Sequence, residues 1–148
     1  MTFAENCNAV FDRSTSDYHI NDDVDYVAVN PFPSDTIDHV LYAKNWIDAV
    51  QWHLEDIIRD PNINPVDALA LKRRIDRSNQ DRTDMVEEID TYFRGLYADV
   101  KPADDATINT ESPAWALDRL SILALKIYHM QAEVERADAT AEHIARCK

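Results

Sequence analysis

The stretch from Asn64 to Gly95, NPVDALALKRRIDRSNQDRTDMVEEIDTYFRG, contains no helix breaker between Pro65 and Gly95. Proline suits a first helical position, because its φ is already helical and its missing N–H would be unpaired there anyway. Rotation by about 100° per residue places Leu71, Ile75, Val86, Ile89, Phe93 and Leu96 on one arc. Such a stripe belongs to a helix packed on one side, so the spacing predicts an unusually long helix over about 64–98.

The flanking sequence carries the same punctuation. Asp60-Pro61-Asn62 ends a helical pattern that runs through Ile37, Val40 and Leu41 to Arg59, with Ser34 as the expected N-cap. This helix, about 34–60, should form an antiparallel hairpin with the long one. Ser112-Pro113 reads as N-cap and first turn of a helix over about 112–140. Its segment from Ser121 to Met130 is apolar on nearly every side and is expected to be the most buried part of the bundle, whereas Glu142 to Lys148 should fray. Phe3, Cys7, Val10 and Phe11 predict a short first helix, about 2–17. Between 19 and 33 the acids Asp22, Asp23 and Asp25, with Pro31 and Pro33, predict an extended connection whose acids are solvated. The fold class expected is all-α: an antiparallel helical bundle of about four helices with a long central hairpin, forming one domain over residues 1–148.

Composition supports this. A single Gly and six Pro in 148 residues leave too little turn chemistry for a sheet protein. A net charge of −13 argues against nucleic acid and against an anionic membrane surface, since both draw affinity from clustered Lys and Arg. The cluster Lys72, Arg73, Arg74 and Arg77 is followed at once by acids and reads as a solvated helix face. Cys7 and Cys147 have neither metal-ligand spacing nor a disulfide pattern, which fits a reducing compartment. No apolar run approaches the roughly 18 residues of a membrane span, and residues 1–14 lack the apolar stretch of a signal peptide, so a cytoplasmic protein is expected.

The apolar stripe of the long helix is interrupted for about two turns. Arg82 falls at the centre of the arc, Ser78 and Asn79 lie beside it, and the run from Asp76 to Asp84 has no apolar residue. Three readings are open: a helix break with Ser78 as a second N-cap, a buried polar layer that fixes helix register, or the lining of a ligand pocket. If the hairpin turn centres on Asn62 and Ile63, Asn45 and Asp48 face residues 77–80. Asn45, Asp48, Trp52, Glu55, Asp56 and Arg59 share one side of their helix, opposite Ala43, Ile47, Val50, Leu54 and Ile57. Trp52 among carboxylates either covers a neighbouring helix or forms a stacking wall. Asp48 and Arg82 need partners if buried, so some partner for each is expected on every reading, and an ion pair between the two is the plainer expectation. His53, beside Trp46 and Ala49, and His129, near Trp115 and Asp118, read more readily as satisfied core-edge histidines than as ligands or bases. Asp118 also gains from the start of its helix dipole.

There is no Gly-rich phosphate loop, no G-x-S-x-G, no H-E-x-x-H and no C-x-x-C. A ferritin-like di-iron site would need Glu-x-x-His on two helices, and the sequence has none. Glu87-Glu88-Ile89-Asp90 resembles half of the Mg²⁺ site of all-α nucleotide pyrophosphohydrolases, and Glu55 and Asp56 are the acids available to complete it. Mg²⁺ is the one cofactor this suggests.

The strings KNWIDAVQWHLEDIIRDP (44–61), SNQDRTD (78–84) and NTESPAWALDRL (109–120) resemble the bacterial family called domain of unknown function 4254, over nearly the whole chain. The resemblance implies a bacterial, Bacteroidetes-type helical protein, with no activity to carry over, and members that continue beyond residues 146–148. These strings coincide with the polar interruptions found by helical rotation. The expected ligand-binding residues are therefore Asn45, Asp48, Trp52, His53, Asn79, Arg82, Trp115 and Asp118, with Glu55, Asp56, Glu87 and Asp90 as expected metal ligands. The leading expectation is an inter-helix pocket for a small polar or phosphorylated ligand, with Arg82 as anion anchor. The competing expectations are a non-catalytic scaffold, compatible with a homo-oligomer, and a Mg²⁺-dependent hydrolase.

Overall fold

The structure, a computed structural model, describes residues 1–148. It is all-helical: α1 (Phe3–Asn21), α2 (Ile37–Ile58), α3 (Pro65–Leu96), α4 (Pro113–Glu135) and α5 (Ala141–Cys147). The long α3 is unbroken through Ser78, so the polar run causes no second cap. No helix is long and apolar enough to cross a membrane.

The α2–α3 hairpin is antiparallel as expected, with its register displaced by about one turn: Gln51, not Asp48, sits opposite Ser78 and Asn79. Cross-contacts reveal the remaining directions. Asn6 meets Asp38, Thr15 meets Asn45 and His19 meets His53, so α1 runs parallel to α2. Asn45 meets Ser121 and Trp52 meets His129, so α4 does too. A parallel α1–α2 pair requires the chain to return along its own length, which is the task of residues 22–36. Fifteen extended residues reach about 50 Å, ample for a helix of this size. Arg74 anchors that strap through Asp25 and the Val24 carbonyl, and Ala28 and Phe32 pack on the core. One member of the basic cluster and one loop acid expected to be solvated are thus joined to each other.

Several boundaries differ from the sequence reading for local reasons. Helix α1 continues to Asn21, with Tyr18 buried in the core and Asp22 closing the helix as its C-cap; Ser14 and Thr15, polar but buried, are bonded to the Tyr42 carbonyl and to Asn45, which hydropathy could not show. Ser34 lies in a turn closed by Thr36 N–H on the Pro33 carbonyl, and Thr36 is the N-cap that accepts from His39 N–H. Thr36→Ala should therefore lower stability by about 1 kcal/mol in urea unfolding, while Ser34→Ala leaves it unchanged. Helix α4 ends at Glu135, and the expected frayed end is instead α5, capped by Thr140.

The core brings together Cys7, Val10, Phe11 and Tyr18 of α1, Leu41, Tyr42, Trp46 and Ala49 of α2, Val86 and Ile89 of α3, and Ala114, Leu117, Ala124 and Leu125 of α4. The most buried helix is α2, which touches α1, α3 and α4. Helix α4 leaves Leu123 and Ile127 exposed, because no helix covers that side. On the arcs read from sequence, Ile75, Val86 and Ile89 are buried, while Ile57 and Leu96 near the helix ends are half-exposed.

Candidate functional site

At mid-height the bundle closes on a layer of four charges. Lys44 and Asp48 of α2 stand one turn apart, Arg82 comes from α3, and Asp118 from α4. The Lys44 ammonium, 0% exposed, bonds the Asp48 carboxylate and reaches Asp118 Oδ1 at 2.7 Å. The Arg82 guanidinium spans the same two acids, with Nε 2.7 Å from Asp48 Oδ1 and Nη2 3.1 Å from Asp118 Oδ1. Two cations and two carboxylates make the layer neutral, the condition under which charges survive burial.

Neutral polar groups extend it. Ser121 Oγ donates to Asp48 Oδ2 at 2.6 Å, Asn45 Nδ2 donates to Ser121 Oγ at 3.0 Å, and Thr15 donates to Asn45 Oδ1. On the α3 side, Ser78 donates to Gln51 Oε1 and Gln51 Nε2 donates to Asn79 Oδ1 at 2.7 Å. The expected Asp48–Arg82 ion pair is present. Sequence reading missed Lys44, Gln51 and Ser121: an i,i+4 Lys–Asp pair usually lies on a helix surface, and a serine heading an apolar run carries no signal of its own.

The two acids differ. Burial pushes the Asp48 carboxyl above its ordinary value, against the pull of Lys44, Arg82 and Ser121. Burial acts on Asp118 as well, but hydrogen bonds and charge from Lys44 and Arg82 outweigh it and hold that carboxyl below the usual range. Arg82 Nε and Asp48 Oδ1 are both buried and stand 2.7 Å apart as an ion pair.

Beside this layer opens a cleft of about 270 Å³, lined by Asp48, Gln51, Trp52, Glu55, Asp56, Arg59, Arg82 and Ile122. Trp52 and Ile122 supply its apolar wall. Asp56 is bridged to Arg59 at 3.0 Å. Of the cleft's acids, Glu55 alone forms no ion pair.

Five of the eight expected ligand-binding residues, Asn45, Asp48, Asn79, Arg82 and Asp118, belong to the layer, and Trp52 lines the cleft. Trp115 does not join them. It is 47% exposed, over a shallow depression with Thr110, Glu111 and Arg119. His53 lies elsewhere too, against His19 and His129, and the indole of Trp52 stacks on His129 at 4.7 Å.

The four expected metal ligands are divided. Glu55 and Asp56 line the cleft near the hairpin turn, whereas Glu87 and Asp90 line a larger, more open groove of about 820 Å³ where α3 ends and α4 begins. There Asp90 accepts from the Ala114 N–H and so helps to cap α4. The two pairs lie on opposite sides of Arg82 along the bundle and hold no ion in common.

The model of one protein family, described as a protein of unknown function (DUF4254), matches residues 38–148. The chain belongs to this family. In this DUF4254 chain, every charge of the layer and every lining residue of the 270 Å³ cleft falls within the matched region, while α1 and the returning strap lie outside it. No curated protein and no solved structure matches the chain.

Proposed function

We propose that the protein is a helical-bundle binding protein, acting in the cytoplasm, that holds a small polar molecule in the cleft between α2, α3 and α4. The observation that carries this is the placing of Trp52, Glu55 and Arg82 around one 270 Å³ cleft, where Glu55 is the one acid without an ion-pair partner. Pockets for small ligands combine such an apolar wall with a few convergent polar groups.

The electrostatics favour a cationic or neutral, donor-rich ligand over a phosphorylated one. Arg82 is already matched by Asp48 and Asp118, and Arg59 by Asp56, so an anion entering the cleft meets the unpaired Glu55 with no free cation to compensate. An amine or a flat nitrogen heterocycle would find the Glu55 carboxylate at one end and the indole at the other. The two free cysteines and the absence of a membrane-crossing helix are compatible with a reducing, aqueous compartment.

A second reading has its own support: the four charges of the layer are paired among themselves, the arrangement expected of a register-setting core in a non-catalytic scaffold. A thermal-shift screen separates the two. Benzylamine, agmatine and adenosine are compared with inorganic phosphate, sugar phosphates and adenosine monophosphate, on the wild type and on Glu55→Gln and Trp52→Leu. A ligand at 100-fold over its Kd adds about 2.7 kcal/mol, or roughly 5–10 °C in Tm for a domain of this size. The expected result is a dose-dependent rise with the unphosphorylated compounds that both variants remove. A rise that neither variant alters, or none with any compound, contradicts the cleft reading and leaves the scaffold.

A further inference from the structure

Three of the five histidines come together from three different helices: His19 near the end of α1, His53 on α2 and His129 on α4. Their ring centroids form a nearly equilateral triangle, 5.3 Å from His19 to His53, 5.1 Å from His19 to His129 and 5.3 Å from His53 to His129. One ring nitrogen of each lies within 4.8 Å of the others. This constellation is separate from the charged layer and goes beyond the reading of the cleft.

The tautomer of one ring follows from its partner. His19 Nδ1 lies 2.7 Å from the Thr15 carbonyl, which can only accept, so Nδ1 carries the hydrogen and Nε2 presents its lone pair. That Nε2 is 3.3 Å from His53 Nε2. A hydrogen bond between the two rings would account for this pair alone, but not for His129, whose Nε2 is buried beside them with no partner. Two nitrogens bound at ~2.0–2.1 Å to one tetrahedral zinc lie ~3.3 Å apart, the separation seen here.

The rings are held in place. Tyr18 stacks on His53 at 5.0 Å, Tyr128 on His19 at 4.1 Å and Trp52 on His129 at 4.7 Å, so each imidazole has its own aromatic backing. The carbonyl on His19 Nδ1 is the outer partner that metal-bound imidazoles habitually have. A fourth group stands above: Asp22 Oδ1 is 3.6 Å from His53 Nε2. Asp22 caps α1 at φ 50°, a left-handed conformation that no other non-glycine residue of the chain adopts. The turn thereby brings a half-exposed carboxylate beside the His53 member of the triangle.

We propose that His19, His53 and His129 form a binding site for one divalent first-row transition ion of the zinc class, with Asp22 at the fourth, solvent-facing position. Imidazole donors select zinc, copper, nickel or iron over magnesium and calcium, which take oxygen. The site thus differs in ligands and in metal class from the carboxylate Mg²⁺ site suggested by the sequence.

The test is calorimetric titration of untagged, chelator-treated protein with Zn²⁺ and, separately, Mg²⁺, together with histidine imidazole NMR signals during titration with diamagnetic Zn²⁺. The expected result is one Zn²⁺ per chain, no Mg²⁺ binding, and perturbation of His19, His53 and His129 while His39 and His143 stay unchanged. His53→Gln and His129→Gln should each weaken Zn²⁺ by at least about 100-fold, the upper end of the effect of removing an outer partner alone, and Asp22→Asn should weaken it less. No stoichiometric Zn²⁺ binding overturns the proposal, as does perturbation of His143 instead. The NMR arm uses the wild type, so it decides the matter even if a histidine variant fails to fold.

Discussion

Lys44→Met is expected to destabilise the protein by about 3–5 kcal/mol, or roughly 6–20 °C in Tm, although it replaces a charge with an apolar chain of similar length. The Lys44 ammonium is fully buried between two carboxylates, and its loss leaves Asp48 and Asp118 sharing Arg82 alone, one uncompensated negative charge in a largely buried layer. The effect should be strongly non-additive. In Lys44→Met with Asp118→Asn, the remaining pair Asp48–Arg82 is neutral again, so more than half of the loss should return. Urea unfolding of the two single variants and the double variant measures this. Simple additivity would mean that the four charges do not act as one unit.

The second large effect concerns α1, which lies outside the region matched by the family. Phe11 is fully buried within the common core, and Phe11→Ala should cost about 3–5 kcal/mol, a large part of the ~5–15 kcal/mol that holds a domain of this kind. A chain begun at Thr36 loses Cys7, Val10, Phe11 and Tyr18 from that core together with the Thr15 bond to Asn45. It should show no cooperative unfolding transition by circular dichroism. A truncated chain that unfolds cooperatively near the wild-type midpoint would show that the bundle closes without its first helix.

Both predictions depend on features of unequal visibility in the sequence. The α2–α3 hairpin could be read because Pro61, Pro65 and an apolar stripe on either side of the polar run mark it directly. The polar run around Arg82 could be read as a layer because it violates that stripe. The parallel course of α1 could not, since nothing in residues 22–36 says whether an extended strap turns or returns; Arg74 gripping Asp25 and the Val24 carbonyl decides it in three dimensions. Lys44 was hidden because its spacing to Asp48 also suits a solvated helix face. Trp115 misled for a converse reason: an aromatic in the first turn of α4 has its core-facing neighbours, Ala114 and Leu117, on the other side. His19, His53 and His129 are separated by 34 and 76 residues and carry no motif, so only the packing of α1, α2 and α4 unites them.

The pH behaviour follows from the same layer. Asp118, held below its ordinary value, contributes stability that is full above the unfolded value of about 3.8 and is lost as the pH falls through its lower folded value. Asp48, pushed up by burial, works in the opposite sense. Of the two acids in the layer, Asp118 is therefore the one whose ionisation the folded state favours.

The measurement that tests the central claim most directly is a ¹H–¹⁵N spectrum recorded while the strongest-binding amine from the thermal screen, or benzylamine if none leads, is titrated in. The account predicts that the Trp52 indole and the Arg82 Nε–H signals move together along one saturation curve, while the Trp115 indole, on the exposed start of α4, does not move. Saturable movement confined to Trp115, or no saturable movement at Trp52 and Arg82, would contradict it.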